Sequence, residues 1–416
     1  MSGHEKRPLV PRLRFPEFRD AGEWITVELG KLSRLLTERV GSTTCTPYTI
    51  ISGVGLISQE EKLGRTIAGN SLKNYLVLQY NDFAYNKSAT KAYPQGFIAL
   101  YTGDERAAVP NSIFTCFRVN QNQAIPTFLD ALFTSNLHGK WLRARIAVGA
   151  RAHGSLQVSD DDLMTTPVPL PNGASSLEEQ QKIADSLSSL DDLIAAETQK
   201  LDTLKTHKKG LMQQLFPREG ETVPLLRFPE FREAGEWATK TLAELAENLD
   251  NRRVPVTEKD RTKGNIPYYG ASGIVDYIRD FIFDEDLLCI SEDGANLRAR
   301  TAPIAFSISG KTWVNNHAHV LRFDSKCVQK IVEDYLNSIS LEDYLTGMAQ
   351  PKLNRAMLDT IPVPVPQDDD EQQAVSDCLS SLDDLITAQS QKIDAIKIHK
   401  KGLIQQLFPV LDEVPA

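Results

Sequence analysis

The side chains of this chain best suited to chemistry are amides, hydroxyls and cations gathered among small residues, and that chemistry is hydrogen bonding rather than bond breaking. In the tract 267–273, Tyr268, Tyr269 and Ser272 stand among glycine and alanine, whose small size allows close backbone approach. In 310–319, Lys311, Asn315, Asn316 and His317 follow closely on one another. Asn, Lys, Arg and Ser are types that pair with base edges in a DNA groove. Two glycine-led polar loops repeat the theme: 149–157 carries Arg151, His153, Ser155 and Gln157, and 347–355 carries Lys352, Asn354 and Arg355. Stretches 140–155 and 296–311 hold no acid and contribute Arg143 and Arg145, and Asn296, Arg298 and Arg300. Lys87, Lys91 and Asn111 complete the candidate set. Together they suit a DNA-facing surface; taken singly, turns, loop caps or a solvated charged face account for each stretch as well.

Other chemistries find little support. Gly310-Lys311-Thr312 has Ala305 where a phosphate-binding loop needs glycine. His317 and His319 lack a third ligand at metal spacing, so no metal site is expected. There is no adenine-methyltransferase tetrad, nuclease carboxylate cluster or nucleophile elbow, and no cofactor site is expected. The five cysteines are scattered without a CxxC pair, which fits a reducing cytoplasm. No apolar run reaches membrane-spanning length, and residues 1–11 lack the apolar core of a secretory leader. The net charge of −9 requires any DNA-binding cations to be locally clustered.

The elements that position these residues are set out by an internal repeat. Leu13-Arg14-Phe15-Pro16-Glu17-Phe18-Arg19-Asp20-Ala21-Gly22-Glu23-Trp24 returns at 226–237 with one change, Asp20 to Glu233. The block 179–217 returns at 371–409, including an unchanged Ser-Ser-Leu-Asp-Asp-Leu-Ile and His-Lys-Lys-Gly-Leu. Between these frames, 25–175 and 238–367 show little similarity, as expected of inserts facing different ligands. The repeat is cyclic: Val-Pro precedes both copies and recurs at Val414-Pro415, which suggests a closed arrangement with the termini near one another.

Each helix block is a heptad. Ile183, Leu187, Leu190, Ile194, Glu197, Leu201, Leu204, Lys208, Leu211 and Leu215 follow 4-3 spacing. Val375, Leu379, Leu382, Ile386, Gln389, Ile393, Ile396, Lys400, Leu403 and Leu407 repeat it, with polar residues at the same two steps. Both blocks end at Phe-Pro, where proline stops a helix. Acids crowd the first half of each block and lysines the second, so antiparallel packing sets unlike charges together. The expected interface is Leu187, Leu190, Ile194, Leu201 and Leu204 against Leu379, Leu382, Ile386, Ile393 and Ile396.

The inserts mix short β-like runs, such as 48–51, 96–101, 113–119, 287–290, 304–308 and 320–323, with helical stretches near 127–137 and 328–344. The expected fold is α+β: two mixed α/β recognition domains separated by two long helices in an antiparallel coiled coil, with pseudo-twofold symmetry. The expected segments are 1–24, a first domain at 25–175, a helix at 176–217, a repeat segment at 218–237, a second domain at 238–367, a helix at 368–409 and a tail at 410–416.

The Leu-Arg-Phe-Pro-Glu-Phe…Gly-Glu-Trp openings and the Glu-Glu-Gln-Gln-Lys-Ile-Ala…Leu-Asp-Asp-Leu-Ile…His-Lys-Lys-Gly-Leu-Met-Gln-Gln-Leu-Phe-Pro helices resemble the specificity subunit of type I restriction–modification enzymes. The resemblance covers the whole chain. It implies two target-recognition domains, each reading half of an asymmetric bipartite site in double-stranded DNA, and an antiparallel coiled coil that sets the gap. It further implies a non-catalytic subunit that docks two modification (methyltransferase) subunits and then restriction (translocase-nuclease) subunits. S-adenosylmethionine, ATP and Mg would belong to those partners, in a bacterial or archaeal cytoplasm. A scaffold that joins two proteins through the coiled coil without binding DNA is the contrasting expectation.

Overall fold

The computed structural model describes residues 8–143, 145–146, 156–348 and 350–411. Contacts divide the chain into two compact units, Met1–Ala196 with Ile393–Ala416, and Glu197–Lys392. Two long helices, α1 (Ser176–Leu215) and α2 (Asp369–Leu407), each give one half to either unit. The units are thus divided through the helices. The reason is shared packing. In the first unit Ile183 and Leu187 of α1 and Leu407 of α2 join one core with Phe128 and Leu129 of the head. In the second, Met212 and Leu215 pack with Val375, Leu379 and the head residue Ile331.

Within each unit the helix halves run antiparallel. Lys400 meets Asp191 at 2.5 Å in the first unit. In the second, Lys392 meets Glu197 at 2.5 Å and Lys208 meets Asp383 at 2.6 Å. All twenty heptad positions are buried or half-buried. Each polar step of the seam has a partner: Gln389 donates to Glu197 at 2.6 Å, and Lys208 also reaches Asp334 at 2.6 Å. Such polar steps fix register in an otherwise slippery apolar seam.

The head of the first unit contains β1 (Ile25–Glu28), β2 (Ser33–Leu35), β3 (Thr46–Ile51), β4 (Gly55–Ser58), β5 (Leu76–Leu78), β6 (Asp82–Asn86), β7 (Phe97–Leu100), β8 (Ala107–Val109), β9 (Phe114–Val119) and β10 (Pro167–Leu170). They form sheets in the orders β2-β9-β6-β7, β4-β3-β8-β5 and β1-β10. Helix Pro126–Thr134 covers the first sheet, with Phe133 edge-on to Phe83 at 5.5 Å. The expected single helical stretch at 127–137 is broken at Asn136, whose left-handed φ of 63° starts a second short helix, Leu137–Leu142.

The head of the second unit contains β11 (Ala238–Thr241), β12 (Glu247–Asn248), β13 (Lys263–Gly270), β14 (Gly273–Ile278), β15 (Phe283–Asp284), β16 (Leu287–Ser291), β17 (Ala305–Ile308), β18 (Lys311–Val314), β19 (Ala318–Arg322), β20 (Leu345–Thr346), β21 (Lys352–Leu353) and β22 (Pro362–Val365). Its sheets run β12-β19-β16-β17, β14-β13-β18-β15, β11-β22 and β20-β21. Helix Lys326–Ser338 starts at Ser325, whose hydroxyl accepts from the Val328 N–H. It stops six residues short of the expected end at Tyr344, and Glu342–Tyr344 forms a separate 3-10 turn.

Strand for strand, the first three sheets of the two heads have the same order, and in each head one pair is parallel, β3 with β8 and β13 with β18. Two inserts with little sequence similarity therefore share one plan. Packing asks only for apolar bulk at the right register. Phe83, Ala84 and Tyr85 of β6 and Leu288, Cys289 and Ile290 of β16 are all fully buried.

Candidate nucleic-acid interface

The candidate residues of the second head divide into those turned inward and those left on the surface. Tyr268 is buried in β13, where its hydroxyl accepts from the Val256 N–H at 3.0 Å and Arg261 lies over its ring. Tyr269 is half-buried and stacks on Phe306 at 5.9 Å. Asn315 is buried in the turn between β18 and β19 and accepts from the His317 N–H at 2.8 Å. Asn296 closes its own helical turn through Ala302, donating and accepting at 3.0 Å. Arg300 donates to the carbonyls of Leu336 and Ile339 at 3.1 and 2.8 Å. Buried Tyr268 and Asn315, and half-buried Asn296 and Arg300, thus make hydrogen bonds within the head. Residue type alone does not tell a buried hydrogen-bonding group from an exposed one.

On the surface remain Ser272 at the β13–β14 tip, Lys311, Asn316, His317, Arg298, Lys352 and Arg355, with Asn354 half-buried. Lys311 sits over the Phe281 ring at 4.7 Å, and His317 pairs with Asp293 at 2.9 Å. Arg298 meets Glu342 at 2.8 Å, Lys352 meets Glu292 at 3.0 Å, and Asn354 donates to the Thr346 hydroxyl at 3.1 Å. In the first head, Lys91, Asn111, Arg143, Arg145 and Gln157 are exposed. Lys87 is half-buried and pairs with Asp160 at 3.3 Å, and Arg145 lies over Trp141. Arg151, His153 and Ser155 lie outside the described residues.

The shared plan exposes correspondences that residue type alone had hidden. Asn111 and Asn315 each stand three residues before the equivalent strands β9 and β19. Pro47-Tyr48 with Ser52-Gly53, and Pro267-Tyr268 with Ser272-Gly273, lie in the equivalent hairpins β3–β4 and β13–β14. The signal was present as a Pro-Tyr-x-x-x-Ser-Gly pattern, but it is short and lies in otherwise divergent sequence.

Asp250, Glu292 and His319 bring ligand atoms within 4.8 Å of one another, a grouping that could hold a cation. Here protein groups occupy it. His319 Nδ1 meets Asp250 at 2.6 Å, and its Nε2 meets the Leu353 carbonyl at 2.7 Å. Arg253 meets Glu292 at 2.6 Å and Asp250 at 3.4 Å. Burial alone would raise the Asp250 and Glu292 pKa values. The hydrogen bond from His319 in one case, and those from Arg253 and Lys352 in the other, reverse the sign and hold both carboxyls below their ordinary values. The arrangement is a saturated ion network that ties β19 to β21.

The sequence pattern described as the type I restriction modification DNA specificity domain matches residues 64–206 and again 234–397. The chain belongs to this family. Its relatives include the type I restriction enzyme specificity subunit S.HindORF215P of Haemophilus influenzae, 37% identical over 131 residues, which span 32% of this chain and 33% of that protein. The type I restriction enzyme MjaVIII specificity subunit of Methanocaldococcus jannaschii is 24% identical over 320 residues, 71% of this chain and 72% of that one. The S subunit of the type I restriction-modification system of M. genitalium has the same fold, with a TM-score of 0.57 at 14% identity over 97% of this chain and all of that one. A chain from a structure of the type I R-M system, solved to explain complex assembly and conformational transition, gives a TM-score of 0.53 at 16% identity, covering 93% of this chain and 97% of that one. This member of the specificity family carries the family domain twice, once in each half.

Proposed function

We propose that this chain is the sequence-reading subunit of a type I restriction–modification complex, with no catalytic site of its own. The supporting observation is two heads of one plan that present different side chains at equivalent places. Ser112 and Ile113 precede β9 where Asn316 and His317 precede β19. Lys87 in the first head stands where Glu292 stands in the second, each carbonyl accepting a 2.7 Å bond from a leucine N–H. Like scaffolds with unlike surfaces suit two unlike DNA half-sites, joined as one asymmetric bipartite site. Base contacts would come from the exposed candidates, and phosphate contacts would set register. The paired helices act as the spacer.

The frame supports two docked copies of one partner. Between 179–217 and 371–409, 17 positions are exposed in both copies and 14 of these are identical, against 13 of the remaining 22. Exposed positions normally drift faster than packed ones, and a shared partner surface reverses that order. The partners are two methyltransferase subunits, joined by restriction subunits in the complete enzyme. S-adenosylmethionine, ATP and Mg act in those subunits. Among the described residues no helix is long and apolar enough to cross a membrane, and the complex acts in the cytoplasm of a bacterium or archaeon.

The test is a footprint of the assembled methyltransferase complex together with a map of methylated adenines in the host genome. Two protected half-sites around an unprotected gap, with methylation in both, support the reading. Absence of any salt-dependent DNA binding sinks it and favours a protein scaffold.

A further inference from the structure

We infer that Asp334 is a positioning residue: it fixes the seat of the second head on the paired helices, and with it the gap at which that head finds its half-site. The inference rests on the reading of the head as a DNA-recognition domain and of the helices as the spacer. Four charges close a ring where the head helix Lys326–Ser338 meets both long helices. Lys208 of α1 lies 2.6 Å from Asp334 of the head and 2.6 Å from Asp383 of α2. Lys330 of the head lies 3.0 Å from Asp334 and 2.5 Å from Asp383. Asp334 is buried, and the other three are half-buried.

Stability alone does not account for this ring, because taking charges out of water costs about what their attraction returns. Apolar contact already holds the head to the helices. Ile331 shares a core with Met212, Leu215, Val375 and Leu379, and Tyr335 meets Phe216 edge-on at 5.4 Å. Such contact is non-directional and leaves small slips and tilts cheap. The ring is directional. A slip of about 1.4 Å takes the 2.6 Å pair of Lys208 and Asp334 to the roughly 4 Å limit of an ion pair. One base pair too many or too few in the gap moves a half-site by about 3.4 Å and turns it by about 35°. The head cannot follow that error by moving on the helices without breaking the ring.

The frame repeats the device. Lys400 and Asp191, the counterparts of Lys208 and Asp383, pair at 2.5 Å in the first unit. Asp130 of the helix Pro126–Thr134 lies within electrostatic reach of both. Two heads of little sequence similarity thus each turn an aspartate of the helix that follows the third strand of the sheet order, β9 or β19, toward the same lysine–aspartate pair. This gives a reason for lysine at an otherwise apolar heptad step: that position serves the head.

The test uses the full chain assembled with its methyltransferase partner. The probes are duplexes carrying the mapped site with the gap at its natural length, or one base pair longer or shorter. The readout is the ratio of methylation rate at the natural gap to that at the altered gaps. Asp334→Asn keeps the shape and removes the charge. It should lower this ratio roughly tenfold and leave affinity for a duplex with only the second half-site within about twofold. Asp334→Glu should keep more of the ratio than Asp334→Asn, and equal losses in the two overturn the charge as the cause. An unchanged ratio in Asp334→Asn overturns the inference whatever the fall in overall rate, because a merely stabilising residue affects all gaps alike. Should Asp334→Asn fail to assemble, Lys330→Met opens the ring while leaving Lys208 on Asp334. It should lower the ratio to a smaller extent, and no change there overturns the inference. An unaltered complex that binds DNA without regard to gap length overturns the seat and the spacer while leaving the reading heads intact. Failure of that complex to bind DNA at all overturns the reading of the head and the inference with it.

Discussion

Arg227 and Glu371 form a two-pronged ion pair, Nε to Oε1 at 2.7 Å and Nη2 to Oε2 at 2.6 Å, in which Glu371 is only 1% exposed. The indole of Trp237 donates to the same carboxylate at 3.1 Å, and Arg227 also donates to the Ala234 and Gly235 carbonyls. The first unit has the same lock: Arg14 meets Glu179 at 2.8 and 2.7 Å, and Trp24 donates to Glu179 at 3.2 Å. Leu13 and Leu226 donate to the Gln406 and Gln214 carbonyls, so each repeat segment runs from the end of one long helix to the start of the other. The near-identity of the frame follows, because a buried fork-and-carboxylate lock tolerates little change in either half.

Breaking one side of the lock should cost far more than replacing both. Glu371→Ala leaves the guanidinium buried without its partner and should destabilise the second unit by about 3–5 kcal/mol. Arg227→Met with Glu371→Leu should recover much of that loss. Urea unfolding of the three variants measures this, and equal losses in the single and double variants would contradict it.

The coiled-coil register depends on Glu197 meeting Gln389 and Lys392. One heptad inserted in α1 alone displaces Glu197 from both and should weaken the protein. Matched heptads in α1 and α2 restore the pairing and should lengthen the gap in the methylated motif by a fixed number of base pairs. An unchanged motif in the matched variant, read by methylation mapping, would end the spacer idea.

The first head contains two groups whose pH responses oppose each other. Burial lowers the His138 pKa from 6.5 to about 4, and burial raises that of Asp130 from 3.8 to about 6. Between about 4 and 6.5 the unfolded chain takes up a proton at His138 that the folded chain refuses, so this contribution falls as pH falls. Asp130 does the reverse between about 3.8 and 6, where the folded chain keeps the proton. Asp130→Asn removes the offset, and its stability should drop about 1.4 kcal/mol more steeply per pH unit from 6 to 4 than that of the unaltered protein. Parallel curves in a pH series of denaturant midpoints would refute the pairing.

Lys352→Ala and Asn354→Ala should weaken binding at the second half-site alone, each roughly tenfold. Binding to duplexes with one scrambled half-site tells the heads apart. Equal loss at both half-sites would argue against independent reading.

The duplication, the helix ends at Phe-Pro and the antiparallel sense of the helices were legible because each rests on local regularities: identity, a heptad, and charge segregated along 39- and 40-residue helices. The candidate surface was legible only by residue type. Ser272, Lys352 and Arg355 remain exposed, while Tyr268 and Asn315, of equally suitable type, are buried. Burial is settled by strand register, and one residue of register turns a side chain from solvent to core. No short-range pattern in 267–273 or 310–319 carries that information.

By itself the sequence determined that two frames repeat, that their helices pair, and which charges choose the direction, since helix periodicity and charge act between near neighbours along the chain. Only the tertiary structure decided that the divergent inserts share one strand order and that Arg227 and Glu371 lock the frame. It also decided that the Asp250–Glu292–His319 cluster is filled by Arg253. The Arg253–Glu292 and Arg227–Glu371 pairs join residues 39 and 144 positions apart, and such contacts form only when the whole core closes.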